Sequence, residues 1–215
     1  MAATPARPAA NARTNWFLFE ACRFINCRIA AAIWLGLPAV ILPLALVFGG
    51  FAPWLVVGAF LLGLATWSPV EYILHRWIMH WQPANPRLHF WVEKLFPHDG
   101  HHLRPDDPGT VRRQQYPLCM MLVVFLVASI VVPMALTAPF FAGIGVGYLL
   151  YELVHFAIHQ CPMAGPIGAK LKRNHYFHHF RDDTRNFGLT SPLWDWIVGT
   201  HFLQARPDRT GEGRA

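Results

Sequence analysis

Two long stretches of the chain carry neither charge nor histidine, and its polar chemistry is gathered between and after them. From Ile29 to Val70 there is no Asp, Glu, Lys, Arg or His, and a second uncharged run extends from Gln114 to Tyr151. A helix crossing a bilayer needs about 20 apolar residues, so each run is long enough for two. Gly49, Gly50 and Pro53 mark a turn in the first run, and the stretch between Pro133 and Pro139 marks one in the second. The pattern predicts membrane helices near 27–48, 53–80, 116–134 and 138–160. Pro38, Pro43 and Pro69 should bend them, which packed membrane helices tolerate. Between the runs lies PRLHFWVEKLFP. It puts Leu88, Trp91, Val92, Leu95 and Phe96 on one helical face and turns Arg87, Glu93 and Lys94 away. That is the signature of a short helix lying on the membrane surface.

The ends differ in kind. Residues 1–14 are small, polar and proline-containing, with no apolar face to bury, and are expected to be disordered. A cleaved signal peptide is not expected, because the apolar run that follows is too long for one. Residues 16–28 mix apolar and charged side chains as an interfacial helix does. The polar tail 204–215 is also expected to be disordered, which leaves 15–203 as one membrane domain.

Composition agrees with the pattern. The 215 residues are 54% hydrophobic and only 14% charged, with mean hydropathy +0.29, too apolar for an ordinary soluble domain. A net charge of +6 would suit nucleic acid, but there is no basic helix or aromatic nucleic-acid motif, so no nucleic-acid partner is expected. All eighteen Lys and Arg residues lie in the N-terminal segment, the middle loop, the tail or, as Arg76, at a helix end. Neither predicted hairpin turn has one, so both termini and the middle loop are expected to be cytoplasmic. The four cysteines, Cys22, Cys27, Cys119 and Cys161, lack zinc-motif spacing and read as reduced packing residues. Arginine outnumbers lysine and the N-terminus is rich in Ala and Pro, which points to a bacterial inner membrane.

The histidines change the picture most. Ten of twelve fall into four groups: His75 and His80 (HRWIMH), His98, His101 and His102 (HDGHH), His155 and His159 (HFAIH), and His175, His178 and His179 (HYFHH). Residues three and four apart share a helix face. His155 and His159 should therefore point one way, and each triplet is expected to aim at one point. His75 and His80 are five apart, about 140° around an ideal helix, so that pair needs the helix to end or bulge. Ten imidazoles supply about five ligands for each of two metal ions. His89 and His201 stand alone and are left outside the set. Imidazole accepts zinc, copper, iron and nickel alike. A nitrogen-rich shell suits a redox metal that binds oxygen, whereas structural zinc needs four ligands and often uses cysteine. Glu71 and Glu152 are the acids in or beside the spans. Intramembrane acids are costly enough to imply a task. Glu152 shares a stripe with His155 and His159, with Tyr151 beside it, so both are candidates for holding a metal-bound water or orienting a ligand. Trp194 and Asp195 read as anchors of the tail. A membrane metal-binding protein and a zinc hydrolase remain open readings on these residues.

The order HRWIMH, HDGHH, HFAIH, HYFHH, followed by FGLTSPLWDWIVGT, resembles the fatty acid hydroxylase/sterol desaturase superfamily over residues 65–202, and the spacing is most similar to the fatty acid 2-hydroxylases. The resemblance implies an all-α integral membrane protein with four transmembrane helices and a cytoplasmic histidine-rich dimetal cap. It implies that the ten grouped histidines hold the metals. It also implies that O2 and external electrons serve to hydroxylate carbon 2 of a free or lipid-linked acyl chain. Iron is the metal expected in the active protein, with zinc possible after isolation. Tyr151–Glu152 is similar to a Tyr–Asp pair of that family, one residue type changed. A cytochrome b-type domain carried by many eukaryotic members has no counterpart in this sequence, which implies a separate donor, cytochrome b-type or ferredoxin-like. Sister activities on a sterol, a carotenoid or a lipid headgroup share the motif.

Overall fold

The computed structural model describes residues 25–96, 98–107 and 115–202. The expectations for 1–14, for most of 16–28 and for 204–215 lie outside the described residues, as do the side chains of Cys22, Cys27 and Cys119. All the regular structure among the described residues is helical: α1 (Ile25–Phe48), α2 (Pro53–Ile73), α3 (Pro86–Leu95), α4 (Asp99–Leu103), α5 (Gln115–Ala128), α6 (Met134–Gln160), α7 (Pro166–Phe180) and α8 (Leu193–Val198).

Three of these helices, counting α2 with its continuation to Met79, are long and apolar enough to cross a membrane: Ala31–Phe48, Pro53–Met79 and Met134–Gln160. The described chain thus has the build of a membrane protein. Among the described residues the helix expected over 116–134 comprises 14 residues and stops at Ala128, which at 1.5 Å per residue is roughly 21 Å, short of a hydrocarbon core of about 30 Å. The turn between α5 and α6 accordingly lies at residues 129–133, earlier than expected. Pro133 caps α6, and Pro139 sits inside that helix.

The membrane helices approach closely where side chains vanish. A Cβ on Gly63 would land on the Phe140 carbonyl, and one on Gly143 would land on the Phe60 carbonyl. Two helices can touch backbone to backbone only over such small residues. Above that contact an aromatic cluster joins α1, α2 and α6. Trp34 and Trp67 meet Tyr148 edge-on at 5.5 and 5.4 Å, and Trp67 meets Tyr151 at 5.8 Å. The outward apolar faces are left bare, as lipid contact requires: Val47, Phe48, Trp54, Leu62 and Val131 are all more than half exposed.

The α-helical ladder of α2 ends at Ile73 and gives way to a π-turn over Leu74–Met79. There the His80 amide donates to the His75 carbonyl five residues back. Widening the turn by one residue brings positions five apart onto one face. α3 lies beyond it, with Pro86 in its first turn and Asn85 Oδ1 accepting the amides of Arg87 and Leu88. Of the apolar face expected of a surface helix, Leu88, Trp91 and Leu95 are exposed, while Val92 and Phe96 are partly buried.

Candidate metal centre

The ten grouped histidines converge as two sets of five: His75, His80, His98, His102 and His178, and His101, His155, His159, His175 and His179. The expectation that each triplet aims at one point is corrected here. His98 and His102 serve one set and His101 the other, while His175 and His179 serve one and His178 the other. Helical geometry is the reason. Residues four apart are about 40° apart around the axis, whereas adjacent residues are about 100° apart and cannot share a target. Each set therefore takes two in-helix pairs and one histidine from a split triplet.

In every nitrogen–nitrogen contact of hydrogen-bond length between these rings, Nε2 faces Nε2. In the first set His75 meets His98 at 3.1 Å, His98 meets His80 at 3.0 Å and His102 at 2.9 Å, and His80 meets His178 at 3.0 Å. In the second, His155 meets His101 at 2.9 Å, His159 meets His175 at 3.0 Å, and His179 meets His175 at 2.9 Å. Hydrogen bonding cannot account for this. Neutral imidazole has one N–H and one lone pair, yet His98 Nε2 faces three other ring nitrogens. His75 Nδ1 donates to the Phe187 carbonyl at 2.6 Å and His178 Nδ1 to the Arg185 carbonyl at 2.8 Å. With the proton on Nδ1, both rings turn an Nε2 lone pair inward. Lone pairs crowded around one point are repulsive until a cation lies among them. Two metal–nitrogen bonds of about 2.1 Å at a right angle hold their nitrogens about 3.0 Å apart, which matches the spacing found. The donor set fits a metal ion in each group.

Burial favours the same state. It pushes His80 down to about 4 and His101 down to about 3, with neighbouring imidazoles adding to the effect. His98, His175 and His178 are held well below the ordinary histidine range, first by burial and then by neighbouring histidines. His102 and His179 are lowered as well, again chiefly by burial. Neutral imidazole is the form that binds metal.

Other candidates lie outside the two sets. His89 pairs with Asp99 at 3.2 Å on the surface, and His201 packs against Trp196. Glu152 accepts the Tyr148 hydroxyl at 2.9 Å, and the Tyr151 ring packs between Trp67 and His155. Sequence reasoning missed how the clusters are supported. Glu93 on α3 accepts the amides of His98 and Asp99, which seats the HDGHH segment. Glu71 accepts the Leu189 and Thr190 amides and the Thr190 hydroxyl. Asp195 accepts the Phe187 and Gly188 amides, and Trp194 Nε1 donates to Ser68. These bonds lash the FGLTSPLWDW segment under the end of α2. The acids in that motif and in the helix end were visible signals, but their backbone partners were not.

Fold and site together define an all-helical protein of membrane-spanning build whose histidine clusters can bind metal ions. Residues 60–200 match the family model described as fatty acid hydroxylase, and the chain belongs to that family. It is 32% identical over 145 residues to fatty acid 2-hydroxylase of Homo sapiens, a match covering 66% of this chain and 39% of that protein. It is 27% identical over 181 residues to a dihydroceramide fatty acyl 2-hydroxylase of Arabidopsis thaliana, covering 80% of this chain and 75% of the relative. The solved structure of full-length scs7p, in which only the hydroxylase domain is visible, superposes with a TM-score of 0.72 at 26% identity, covering 82% of this chain and 66% of that one. The chain thus spans about two fifths of the length of the human relative.

Proposed function

We propose that this protein is a membrane-bound monooxygenase that hydroxylates carbon 2 of a fatty acyl chain, free or lipid-linked, using O2 and external electrons. The observation that carries the reading is the pair of five-histidine clusters, with Nε2 lone pairs converging at the ends of apolar helices, in a chain of the fatty acid hydroxylase family. The choice of carbon 2 rests on similarity to the 2-hydroxylases.

His75, His80, His98, His102 and His178 would hold one ion and His101, His155, His159, His175 and His179 the other. Iron bound there supplies the oxygen activation that an unactivated C–H bond demands. The residues of the chain supply position and dryness. Carbonyls of Phe187 and Arg185 fix two rings in the metal-binding tautomer. His75, His101, His175 and His178 are almost wholly buried, which keeps bulk water from the centre. Glu152 and Tyr151, beside His155 on α6, are assigned to orienting a ligand or substrate at the cluster edge. Glu152→Gln is then expected to lower activity more than metal content.

The remaining architecture follows from charge. Four spans, the third near 116–134 with α5 as its described part, carry both termini and the 81–115 loop on the cytoplasmic side of a bacterial inner membrane. Residues 15–203 form the hydroxylase domain. The test supplies membranes with labelled oxygen and a reductant and reads lipids by mass spectrometry. One labelled atom at carbon 2, dependent on reductant, supports the proposal. Label on a sterol, carotenoid or headgroup instead would assign a sister activity. Its absence from every lipid, with two metals bound and a working donor, would overturn the oxygenase reading.

A further inference from the structure

We propose that Asp195 is the positioning residue of one metal site only, the one built from His75, His80, His98, His102 and His178. This rests on reading the grouped histidines as ligands.

Asp195 sits on α8, a short helix whose Leu193, Trp196 and Ile197 are exposed, yet Asp195 itself is 1% exposed. Its carboxylate turns inward and is fully used. Oδ1 accepts the Phe187 amide at 2.9 Å and the Thr200 hydroxyl at 2.7 Å, and Oδ2 accepts the Gly188 amide at 2.7 Å. Its carbonyl accepts the amides of Thr200 and His201. One residue thus ties both ends of the segment 187–200 together. The Asn186 amide closes the same loop on the Thr200 carbonyl.

What this loop presents to the metal centre is specific. With the Phe187 amide held by Asp195, its carbonyl is aimed at His75 Nδ1, 2.6 Å away. Two residues earlier, the Arg185 carbonyl takes His178 Nδ1 at 2.8 Å. The Phe187 ring packs against His75, His80 and His178 at 5.7, 5.4 and 5.4 Å. Every one of these contacts is to the first set. In the second set, Nδ1 of His101, His159, His175 and His179 is buried with no hydrogen-bond partner among the described residues. A carbonyl at Nδ1 fixes the tautomer and the ring angle, and loss of such an outer partner typically weakens metal binding about 10- to 100-fold. Asp195 reaches its metal through the backbone of Phe187, whereas the loop's bond toward the second set, from Asn186 Nδ2 to the Asn174 carbonyl at 3.5 Å, meets backbone and no imidazole.

The test measures metal per chain on the full-length protein in detergent, loaded with iron or with zinc. Asp195→Asn keeps the volume but sets an amide N–H against a backbone N–H. It is expected to weaken one of the two ions about 10- to 100-fold and leave the other unchanged. Adding His80→Ala should cause no loss beyond that of His80→Ala alone, whereas adding His159→Ala should strip both ions. Gly188→Ala reaches the same point from outside, because its Cβ would lie 2.8 Å from Asp195 Oδ2 and against the Ser191 backbone. It should reproduce the single-ion loss, and carries the test if Asp195→Asn does not fold. Two ions retained at wild-type affinity, or both lost in parallel, would overturn the proposal, since general unfolding strikes both sites alike. Equal loss in the two double variants would also overturn it. A wild-type chain that takes up no metal would instead refute the ligand reading beneath it.

Discussion

Removing the Glu71 side chain should release the loop beneath the metal centre, and the size of the effect follows from its bonds. Glu71 is 3% exposed. Oε1 accepts the amides of Leu189 and Thr190, each at 2.8 Å, and Oε2 accepts the Thr190 hydroxyl at 2.6 Å. Glu71→Ala leaves two backbone N–H groups without an acceptor. At roughly 1–3 kcal/mol for each, the cost is about 4 kcal/mol. Glu71→Gln keeps an oxygen for both amides and offers an N–H to the Thr190 hydroxyl, which can turn to accept it, so its cost is about 1 kcal/mol. Since 1.4 kcal/mol is tenfold in an equilibrium constant, the variants should differ by about a hundredfold in loop opening. Hydrogen exchange read by mass spectrometry across 187–190 measures this directly. The wild type should be protected, Glu71→Gln nearly so, and Glu71→Ala should exchange fast. Equal exchange in the two variants, or protection surviving in the alanine variant, would refute the view that this acid serves to satisfy loop amides.

Three further outcomes are expected. Reporter fusions at Gly50 and Val131 should give a signal from the far side of the membrane, and a cytoplasmic signal from either would break the four-span topology. His101→Ala and His178→Ala should each lose metal in a bound-metal assay, while His89→Ala, whose ring pairs with Asp99 at the surface, should keep it. Metal-free protein should lose stability as pH falls below about 6.5. Burial lowers His80 to about 4 and His101 to about 3 in the fold, so between those values and the ordinary histidine range the unfolded chain binds more protons. Denaturant titrations from pH 8 to 5 measure the trend, and a flat profile would count against neutral, buried imidazoles.

Much of this was legible in the chain. The uncharged runs announced the membrane helices, and the five-residue spacing of His75 and His80 demanded the irregularity that the π-turn supplies. The split of the triplets was legible in principle, since adjacent positions such as His101 and His102 diverge on any helix. It was missed because proximity in sequence was taken for a common target. The loop was a different matter. That Glu71 would bond Leu189 and Thr190, more than a hundred residues away, depends on how α7 and α8 fold back. Backbone amides carry no residue-specific signal, so no motif marks which of them an acid will bind.

The split triplets also fix an order of assembly. The end of α2 contributes only to the first set and α6 only to the second, while α4 and α7 contribute to both. Each set includes at least one histidine from α7: His178 in the first, His175 and His179 in the second. The first set lacks its fifth histidine until residue 178 has left the ribosome and the second until residue 179 has, by which time all three long apolar helices have been synthesised. With the clusters read as the proposed metal sites, full ligation is therefore a late event in biogenesis. It would tie the end of α2 to α6 through α4 and α7, and a chain cut short before α7 would hold four histidines of the first set and three of the second.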